Sequence, residues 1–385
     1  MSKYSLAVFL VALFTSPFPN IVQAHLKIHQ PTLTPQDSGT IEGLISVSPV
    51  DSRVVWASGR GGTFVVTTDG GRTWRSGVVP GAESLQFRDV QGVSDKIAYL
   101  LSIGNGPDSR IYKTTDGGNT WTLQFQNQNI AAFYDCFAFW TAGTGIAQSD
   151  SVEGRFPVIR TTDGTTWQDI GDNLPPALDG EFSFASSGTC VAVQGDQNAW
   201  IVTGGVSPSR VLVTEDLGES WNAYASPLRG SPSAGIFSVA FRDAQHGMIG
   251  GGDLDPEAPP FPQTATSRDG GKTWTLTPQQ PNIGTVFGLA YAGKFGLGQR
   301  QGKAEDQDED QDNDEGDKKH LVVVTGPGGS AWTPDEGNTW FTLPGVTDFW
   351  GVAFGSRKVA WLVGTDGRIL RIDFRGVGNQ GRKGQ

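Results

Sequence analysis

The segment Thr67-Thr68-Asp69-Gly70-Gly71-Arg72-Thr73-Trp74 occurs six times in this chain, with small changes from copy to copy. The copies share the pattern Ser/Thr-x-Asp-x-Gly-x-Thr/Ser-Trp, and the third copy is one residue shorter than the others. Their aspartates and tryptophans are Asp69 and Trp74, Asp116 and Trp121, Asp163 and Trp167, Asp216 and Trp221, Asp269 and Trp274, and Asp335 and Trp340. Self-similarity of this kind indicates an array of equivalent units that form one domain.

Each copy has the chemistry of a tight turn between two strands. The aspartate can accept hydrogen bonds from the backbone N–H groups of its own turn, and glycine supplies the positive φ that the turn needs. The tryptophan begins the next strand, and we expect it to pack between neighbouring units. We call these segments the box turns, because they resemble the Asp-box of the BNR repeat, which occurs in sialidases and other β-propellers. The resemblance implies that they are structural and lie on the propeller face opposite the ligand site.

The composition favours an all-β fold. Glycine (53 residues), phenylalanine (21) and tryptophan (12) are frequent, and no segment keeps a 3.6-residue apolar period. Four short apolar stretches accompany each box turn, and four short antiparallel strands per unit form a propeller blade. The sequence therefore predicts a β-propeller built from four-stranded antiparallel blades.

Counting the innermost strands predicts seven blades, which begin near Ile41, Leu85, Phe133, Phe182, Ile236, Val286 and Phe349. The last unit, residues 349–372, has three strands and no box turn, so we expect residues 26–33 to supply its fourth strand and close the ring. Two innermost strands carry the same pair, Arg88-Asp89 and Arg242-Asp243, which predicts an equivalent polar turn after each. The propeller is predicted to span residues 25–375 as a single domain, followed by a disordered tail over residues 376–385.

Residues 1–24 have the organisation of a secretory signal peptide. Lys3 supplies a basic start, residues 6–14 are apolar, and Val22-Gln23-Ala24 is a small-residue cleavage site. We therefore expect a secreted or periplasmic protein, which acts outside the cytoplasm as a monomer.

Most of the net charge of −11 belongs to one segment, residues 305–317, which carries nine carboxylates and no base. A run of like charges is self-repelling, so we expect a disordered insertion over about residues 298–319. A weak cation site is the alternative. The spacing does not match a calcium loop, because the glycine comes one residue late and Leu321 stands where a glutamate is needed.

The two cysteines, Cys136 and Cys190, fall in or beside the innermost strands of adjacent blades. In an oxidising compartment a disulfide across that boundary is one interpretation. Two buried free thiols that pack as small apolar residues are an equally good interpretation.

Several kinds of chemistry lack their sequence signatures. There is no G-x-S-x-G nucleophile elbow, and the glycine-rich stretches lie between strands, so they are turns and not nucleotide cradles. The four histidines have no metal-ligand spacing. An acidic chain without a basic stripe is a poor partner for nucleic acid. We therefore expect no cofactor, no metal and no nucleic acid.

A sialidase-like or other propeller glycoside hydrolase is the enzymatic alternative, with carbohydrate as the ligand. Sialidases carry an Arg-Ile-Pro motif ahead of the first box, and here its only echo is Arg155-Phe156-Pro157, between the second and third boxes. Other propeller glycosidases use two carboxylates that flank the sugar, and Asp150 with Glu153, or Asp253 with Asp255, are candidate pairs.

The chain as a whole resembles bacterial relatives of the plant photosystem II stability/assembly factor, over about residues 39–374. The resemblance rests on Trp56-Ala57-Ser58-Gly59, on Ser109-Arg110-Ile111-Tyr112-Lys113, on Ala185-Ser186-Ser187-Gly188-Thr189-Cys190, and on the stretch from Ser233 to Asp243. It implies a seven-bladed propeller that works as a non-enzymatic scaffold. The expected partner is a protein, within a membrane complex that the scaffold helps to assemble on the extracytoplasmic side.

The loops opposite the box turns are the predicted binding surface. In a propeller, the loops between second and third strands share one face with the links between blades. These loops are longer than the box turns and mix charged residues with Gly, Pro and Phe, as binding loops on rigid scaffolds do. We predict that Asp150, Glu153, Arg155, Asp253 and Asp255 make polar contacts to the partner.

Overall fold

The computed structural model describes residues 29–278, 280–281, 283–293 and 320–377. Within these ranges twenty-eight strands form seven sheets, each with four antiparallel strands, which are the blades. The predicted seven-bladed β-propeller is confirmed.

The strands of blades 1 to 4 follow one another in chain order. Blade 1 contains β2 (Leu44–Pro49), β3 (Val55–Gly59), β4 (Thr63–Thr67) and β5 (Arg75–Val78). Blade 2 contains β6 (Gln86–Gly92), β7 (Ala98–Ile103), β8 (Arg110–Thr114) and β9 (Thr122–Gln126). Blade 3 contains β10 (Tyr134–Phe139), β11 (Gly145–Ser149), β12 (Val158–Thr161) and β13 (Gln168–Asp169). Blade 4 contains β14 (Val191–Gln194), β15 (Asn198–Val202), β16 (Arg210–Thr214) and β17 (Asn222–Ala225).

Blades 5 and 6 continue the order, and blade 7 combines both ends of the described chain. Blade 5 contains β18 (Ala234–Phe241), β19 (Gly247–Asp253), β20 (Thr264–Ser267) and β21 (Thr275–Leu276). Blade 6 contains β22 (Gly288–Tyr291), β23 (Val322–Gly326), β24 (Gly329–Thr333) and β25 (Phe341–Thr342). Blade 7 contains β26 (Phe349–Phe354), β27 (Val359–Gly364), β28 (Ile369–Asp373) and β1 (Thr32–Gln36). Short 3₁₀ turns occur at Gly106–Asp108, Gly171–Asn173 and Thr365–Gly367.

The core lies between adjacent blades. One cluster, for example, joins Trp56 and Phe64 of blade 1 to Leu100 of blade 2. The box tryptophan of blade 2, Trp121, packs edge-on against Phe64 and Trp56, with ring centroids 5.1 and 6.3 Å apart. Edge-to-face pairs of this kind add about 0.5–1.5 kcal/mol beyond the burial of apolar area. This box tryptophan therefore packs between neighbouring units.

The second box turn shows how the sequence makes these turns rigid. Asp116 accepts hydrogen bonds from the backbone N–H of Thr120 (2.9 Å) and from its hydroxyl (2.7 Å). Thr114 donates its hydroxyl to Asp116 (2.9 Å) and accepts the N–H of Gly118 (2.8 Å). These bonds to the ionised carboxylate, led by the Thr120 N–H, lower the pKa of Asp116 to about 2. Gly117 and Gly118 have φ values of 78° and 83°, which a side chain would resist.

The ring closes at blade 7, where β1 pairs antiparallel with β28 from Thr32 opposite Asp373 to Gln36 opposite Ile369. The strand lies later in the chain than the predicted residues 26–33, of which 26–28 fall outside the described residues. Leu33 of this strand packs against the apolar cluster between blades 6 and 7. Gln36 links the two ends of the ring, because its Oε1 accepts the indole N–H groups of Trp361 (blade 7) and Trp74 (blade 1), both at 3.1 Å.

Two predictions about the innermost strands are wrong. In blade 4 the strand begins at Val191, nine residues after Phe182, because residues 183–189 leave the sheet. The pairs Arg88-Asp89 and Arg242-Asp243 are not equivalent. The first lies inside β6, and the second lies in the turn after β18. A dipeptide does not set strand register, and Arg88 occupies an extra, bulged position in its strand.

The predicted signal peptide and the predicted acidic insertion lie outside the described residues. Of the predicted tail, Gly376 and Val377 are described, and Val377 packs against the core of blade 7. Residues 378–385 lie outside. Among the described residues, no helix has the length and apolar character needed to cross a membrane.

Candidate functional site

The two faces of the propeller follow from the strand order. Because the strands of a blade alternate in direction, the loops between second and third strands emerge at the same face as the inter-blade links. We call this the loop face. The box turns and the turns between first and second strands lie on the other face, which we call the box face.

Five innermost strands carry a one-residue bulge near the loop face. The bulged residues are Ile45, Arg88, Asp135, Phe237 and Trp350. A bulge leaves one residue outside the ladder and re-aims its side chain. The guanidinium of Arg88 in blade 2 lies 5.5 Å from the ring centre of Trp350 in blade 7, although blade 1 separates these blades. These two side chains therefore meet over the mouth of the central channel.

Residues 183–189, which we call the channel segment, cross this mouth. The Ala185 carbonyl accepts from Arg88 of blade 2 at 3.0 Å, and the Ser187 hydroxyl donates to the Phe287 carbonyl before blade 6 at 2.7 Å. Gly188 lies so close to Asp89 of blade 2 that a Cβ there would clash. The segment therefore contacts opposite sides of the ring.

A disulfide between Cys136 and Cys190 holds the end of the channel segment against blade 3. The two Cα atoms are 5.9 Å apart, and the bridge closes a separation of 54 residues. Of the two interpretations that the sequence left open, the structure contains the bridge.

Aromatic rings fill the space beside the channel segment. Phe184 stacks on Phe237 with centroids 3.9 Å apart, and Phe237 stacks on Phe287 at 5.5 Å. Phe287 in turn packs against Trp350 at 5.1 Å. These side chains come from the channel segment and blades 5, 6 and 7, so the mouth is closed by a small apolar cluster.

Arg88 is the cation within this closed mouth. Its Nη1 donates to the Ala185 carbonyl and its Nη2 to Gln86 Oε1 at 3.2 Å. No carboxylate among the described residues forms an ion pair with it. Burial, and then the positive charge of Arg60, lower its pKa to about 10. The side chain therefore remains charged at neutral pH and is held mainly by Trp350 and the channel segment.

Buried carboxyls tie the inner strands together. Asp89 accepts from the Ser46 hydroxyl (3.3 Å) of blade 1 and from the Phe137 N–H (2.9 Å) of blade 3. Burial raises the pKa of Asp89 well above its usual range. Burial, and then the charge of Asp150, do the same for the pKa of Asp135. Asp89 therefore links the innermost strands of blades 1, 2 and 3, and both carboxyls are shielded from solvent.

The predicted site residues lie on the loop face, but the structure does not bring them together. Glu153 is exposed at the tip of a blade 3 loop, and Asp255 is exposed in a blade 5 loop. Asp150 accepts the Ser183 N–H at 2.9 Å, and burial raises its pKa to about 6. Asp253 accepts the Asp255 N–H at 3.0 Å. Blade 4 separates the blade 3 residues from the blade 5 residues.

Arg155 forms ion pairs with its own blade and with the link that follows it. Its Nη2 lies 2.6 Å from Asp169 Oδ1, and its Nε lies 2.6 Å from Asp172 Oδ1. These ion pairs pin the blade 3 loop to the outer strand and the following link. Its role as a partner contact stays a prediction.

Exposed aliphatic side chains on the loop face were missed by the sequence reasoning. Ile41, Ile130, Leu178 and Leu254 are 86, 81, 38 and 51 % exposed. The first three lie in inter-blade links, and Leu254 lies in the blade 5 loop. For Ile41, Leu178 and Leu254 the available signal was an apolar residue inside a loop that contains Gly and Asp. The link around Ile130 has neither residue type.

A cavity of about 270 Å³ opens beside Ile41 on the loop face, between blades 7 and 1. Glu42, Arg60, Trp350 and Asp366 contribute to its lining. A second cavity, of about 450 Å³, lies between blades 5 and 6 and is lined by threonines with Arg268 and Glu336. In the described part of the chain, no three His, Cys, Asp or Glu side chains come together to hold a metal ion.

Solved structures share this architecture. The structure described as YCF48 bound to D1 peptide superposes with a TM-score of 0.57 at 18% identity, over 90% of this chain and 98% of the other. YCF48 from Cyanidioschyzon merolae gives 0.56 at 16% identity, over 89% and 98%. The WD40 β-propeller domain of Doa1 gives 0.53 at 12% identity, over 89% and 97%. No protein-family model matches the chain, and no curated protein matches it. The likenesses show that the chain has the β-propeller fold of YCF48.

Proposed function

We propose that the chain is a non-enzymatic scaffold, secreted or periplasmic, that binds a protein partner on its loop face. By holding that partner it assists the assembly or the stability of a protein complex on the extracytoplasmic side of a membrane. The proposed role is of the same kind as that of a photosystem II assembly factor, and the complex that this chain serves is to be identified by the capture experiment below.

The closed channel mouth is the observation that carries the proposal. Sites for small molecules are concave and enclose most of the ligand. Here the channel segment and the Phe184, Phe237 and Phe287 rings occupy the place where a propeller would hold such a ligand. What the loop face offers instead is a rim of loops with exposed aliphatic side chains. We take this rim as the surface that meets a protein, because binding residues are disproportionately found on loops that a rigid scaffold positions.

The hydrogen bonds and ion pairs that the candidate catalytic residues already form support partner binding over sugar hydrolysis. Asp150 is bonded to the channel segment, and Arg155 is bonded to Asp169 and Asp172. A glycosidase needs two carboxyl groups that flank a bound sugar with room between them. The candidate pairs, Asp150 with Glu153 and Asp253 with Asp255, lie in separate loops of blades 3 and 5 and share no cleft.

The YCF48 likeness adds support from a solved complex. One of the two YCF48 structures contains a bound D1 peptide. A propeller of this fold can therefore hold a peptide segment of a protein, and we extend that ability to this chain.

Capture of a partner from the extracytoplasmic fraction of the source organism tests the proposal. The full chain would be immobilised as wild type, as Ile41→Ser/Ile130→Ser/Leu254→Ser, and as the matched control Val78→Ser/Leu123→Ser/Leu276→Ser. The control removes three exposed aliphatic side chains from outermost strands. We expect the wild type and the control to retain the same partner and the loop-face variant to lose it. Loss in the control alone would contradict the assignment of the loop face.

A further inference from the structure

Three exposed aliphatic residues on the loop face are each followed directly by an exposed acid. The pairs are Ile41-Glu42 in the link to blade 1, Leu178-Asp179 in the link to blade 4, and Leu254-Asp255 in the blade 5 loop. The same small motif, an apolar side chain beside a carboxylate, thus occurs at three separated places on one face.

The acids of the loop face are largely uncompensated. Nine exposed carboxylates there form no ion pair with the described residues: Asp37, Glu42, Glu83, Asp108, Glu153, Asp179, Asp255, Glu257 and Asp366. The described lysines, Lys96, Lys113, Lys272 and Lys358, all lie in box-face turns or inside a strand.

The arginines of the loop face cancel only part of this charge: Arg60 and Arg110 form no ion pair with the described residues, but most of the others are already paired. Arg155 is held by Asp169 and Asp172, and Arg210 by the buried Glu181. Arg368 lies 3.5 Å from Asp348, and Arg229 lies 3.9 Å from Asp253. Arg88 lies within the closed mouth.

We infer that the partner segment held on the loop face is cationic and carries aliphatic side chains. The inference rests on the proposed function and adds the chemistry of the partner. A Lys or Arg side chain would meet a rim carboxylate while a neighbouring Leu, Ile or Val covers the adjacent aliphatic side chain. Complementary charge steers such a segment to the face, and like charge excludes acidic segments and anionic lipid surfaces.

Three fluorescent 12-residue peptides serve as probes, with the repeats Lys-Leu, Lys-Ser and Glu-Leu. Their affinity for the full chain would be measured by anisotropy. The test variant is Glu42→Gln/Asp179→Asn/Asp255→Asn. The control variant, Asp95→Asn/Asp196→Asn/Glu215→Gln, removes the same charge from exposed box-face turns. Circular dichroism and melting temperature confirm that all variants are folded.

We expect the Lys-Leu peptide to bind tightest, the Lys-Ser peptide more weakly and the Glu-Leu peptide least. The charge variant Glu42→Gln/Asp179→Asn/Asp255→Asn should weaken Lys-Leu binding at least fivefold, whereas the control variant should change it less than twofold. The acidic segment 305–317 is present in every variant, so only differences between variants are diagnostic.

The inference would be overturned if the Glu-Leu peptide bound more tightly than the Lys-Leu peptide, or if both variants weakened Lys-Leu binding equally. A Lys-Leu affinity that the charge variant leaves unchanged would also overturn it. None of these results touches the proposed function, which the capture experiment with the serine variants judges separately. A partner lost by the serine variant but retained by the loop-face charge variant would leave the scaffold proposal standing and remove the cationic chemistry.

Discussion

Replacing Gln36 by alanine should destabilise the propeller, because this side chain joins the first and last blades. Its Oε1 accepts two indole N–H groups, from Trp361 and Trp74. Trp361 is fully buried and Trp74 is half-buried. A buried donor left without an acceptor costs about 1–3 kcal/mol, and water can reach Trp74 in part. We therefore expect a loss of about 2–4 kcal/mol in the free energy of unfolding.

Thermal unfolding measures this loss. The entropy of unfolding grows with chain length, so the loss corresponds to a melting temperature about 3–6 °C lower for a domain of this size. Gln36→Leu preserves much of the volume without the acceptor, and it should be as destabilising as Gln36→Ala. A Leu variant as stable as wild type would show that packing, and not hydrogen bonding, explains the role of Gln36.

Gln124→Ala is the matched control, because Gln124 lies in β9, the outermost strand of blade 2. Its Nε2 donates to Thr122 of its own strand at 3.3 Å, and its Oε1 has no partner among the described residues. We expect a change below about 0.5 kcal/mol, as for substitutions that break no specific network. Equal effects of Gln36→Ala and Gln124→Ala would refute the closure argument.

Two further predictions concern the channel segment. Removing the disulfide by Cys136→Ala/Cys190→Ala should lower the free energy of unfolding by up to about 4 kcal/mol, because the bridge closes a 54-residue separation. Melting curves with and without reductant check this. Equal curves for the wild type under the two conditions would contradict it. Asp150→Asn tests the carboxyl whose pKa burial raises to about 6. A carboxyl whose pKa is raised in the folded state contributes stability below pH about 4, and this contribution is lost as the pH rises through about 6. The free energy of unfolding of the Asn variant should therefore match that of the wild type at pH 4 and exceed it at pH 8, by at most about 3 kcal/mol. The same difference at both pH values would rule out this titration.

The blades were predictable because their signals are local. Asp116, Gly117 and Gly118 encode a turn whatever surrounds them, and six such turns locate six of the seven blades. The existence of a closing strand was predictable from the strand count, since the last unit has three strands and the other units have four. Its position was not, because the pairing partner of Leu33 depends on register with β28.

The channel mouth could not be predicted, because its signals are not local. Phe182-Ser183-Phe184-Ala185 alternates like a strand, and the contacts that hold this stretch across the channel come from distant blades, such as the bond from Arg88 to the Ala185 carbonyl. A bulge adds one residue without changing composition, so Arg88 looked like part of a turn. The charges of Asp150 and Arg155 were visible, but their partners Ser183, Asp169 and Asp172 come from other elements.

Hydroxyl-radical footprinting of the chain with its captured partner tests the central claim most directly, because it reads exposed aliphatic side chains. We predict that the partner protects Ile41, Ile130, Leu178 and Leu254 on the loop face. The aliphatic residues of the outermost strands, Val78, Leu123 and Leu276, should be modified equally with and without the partner. Protection of the outer-strand residues, with the loop-face residues still fully modified, would contradict the account.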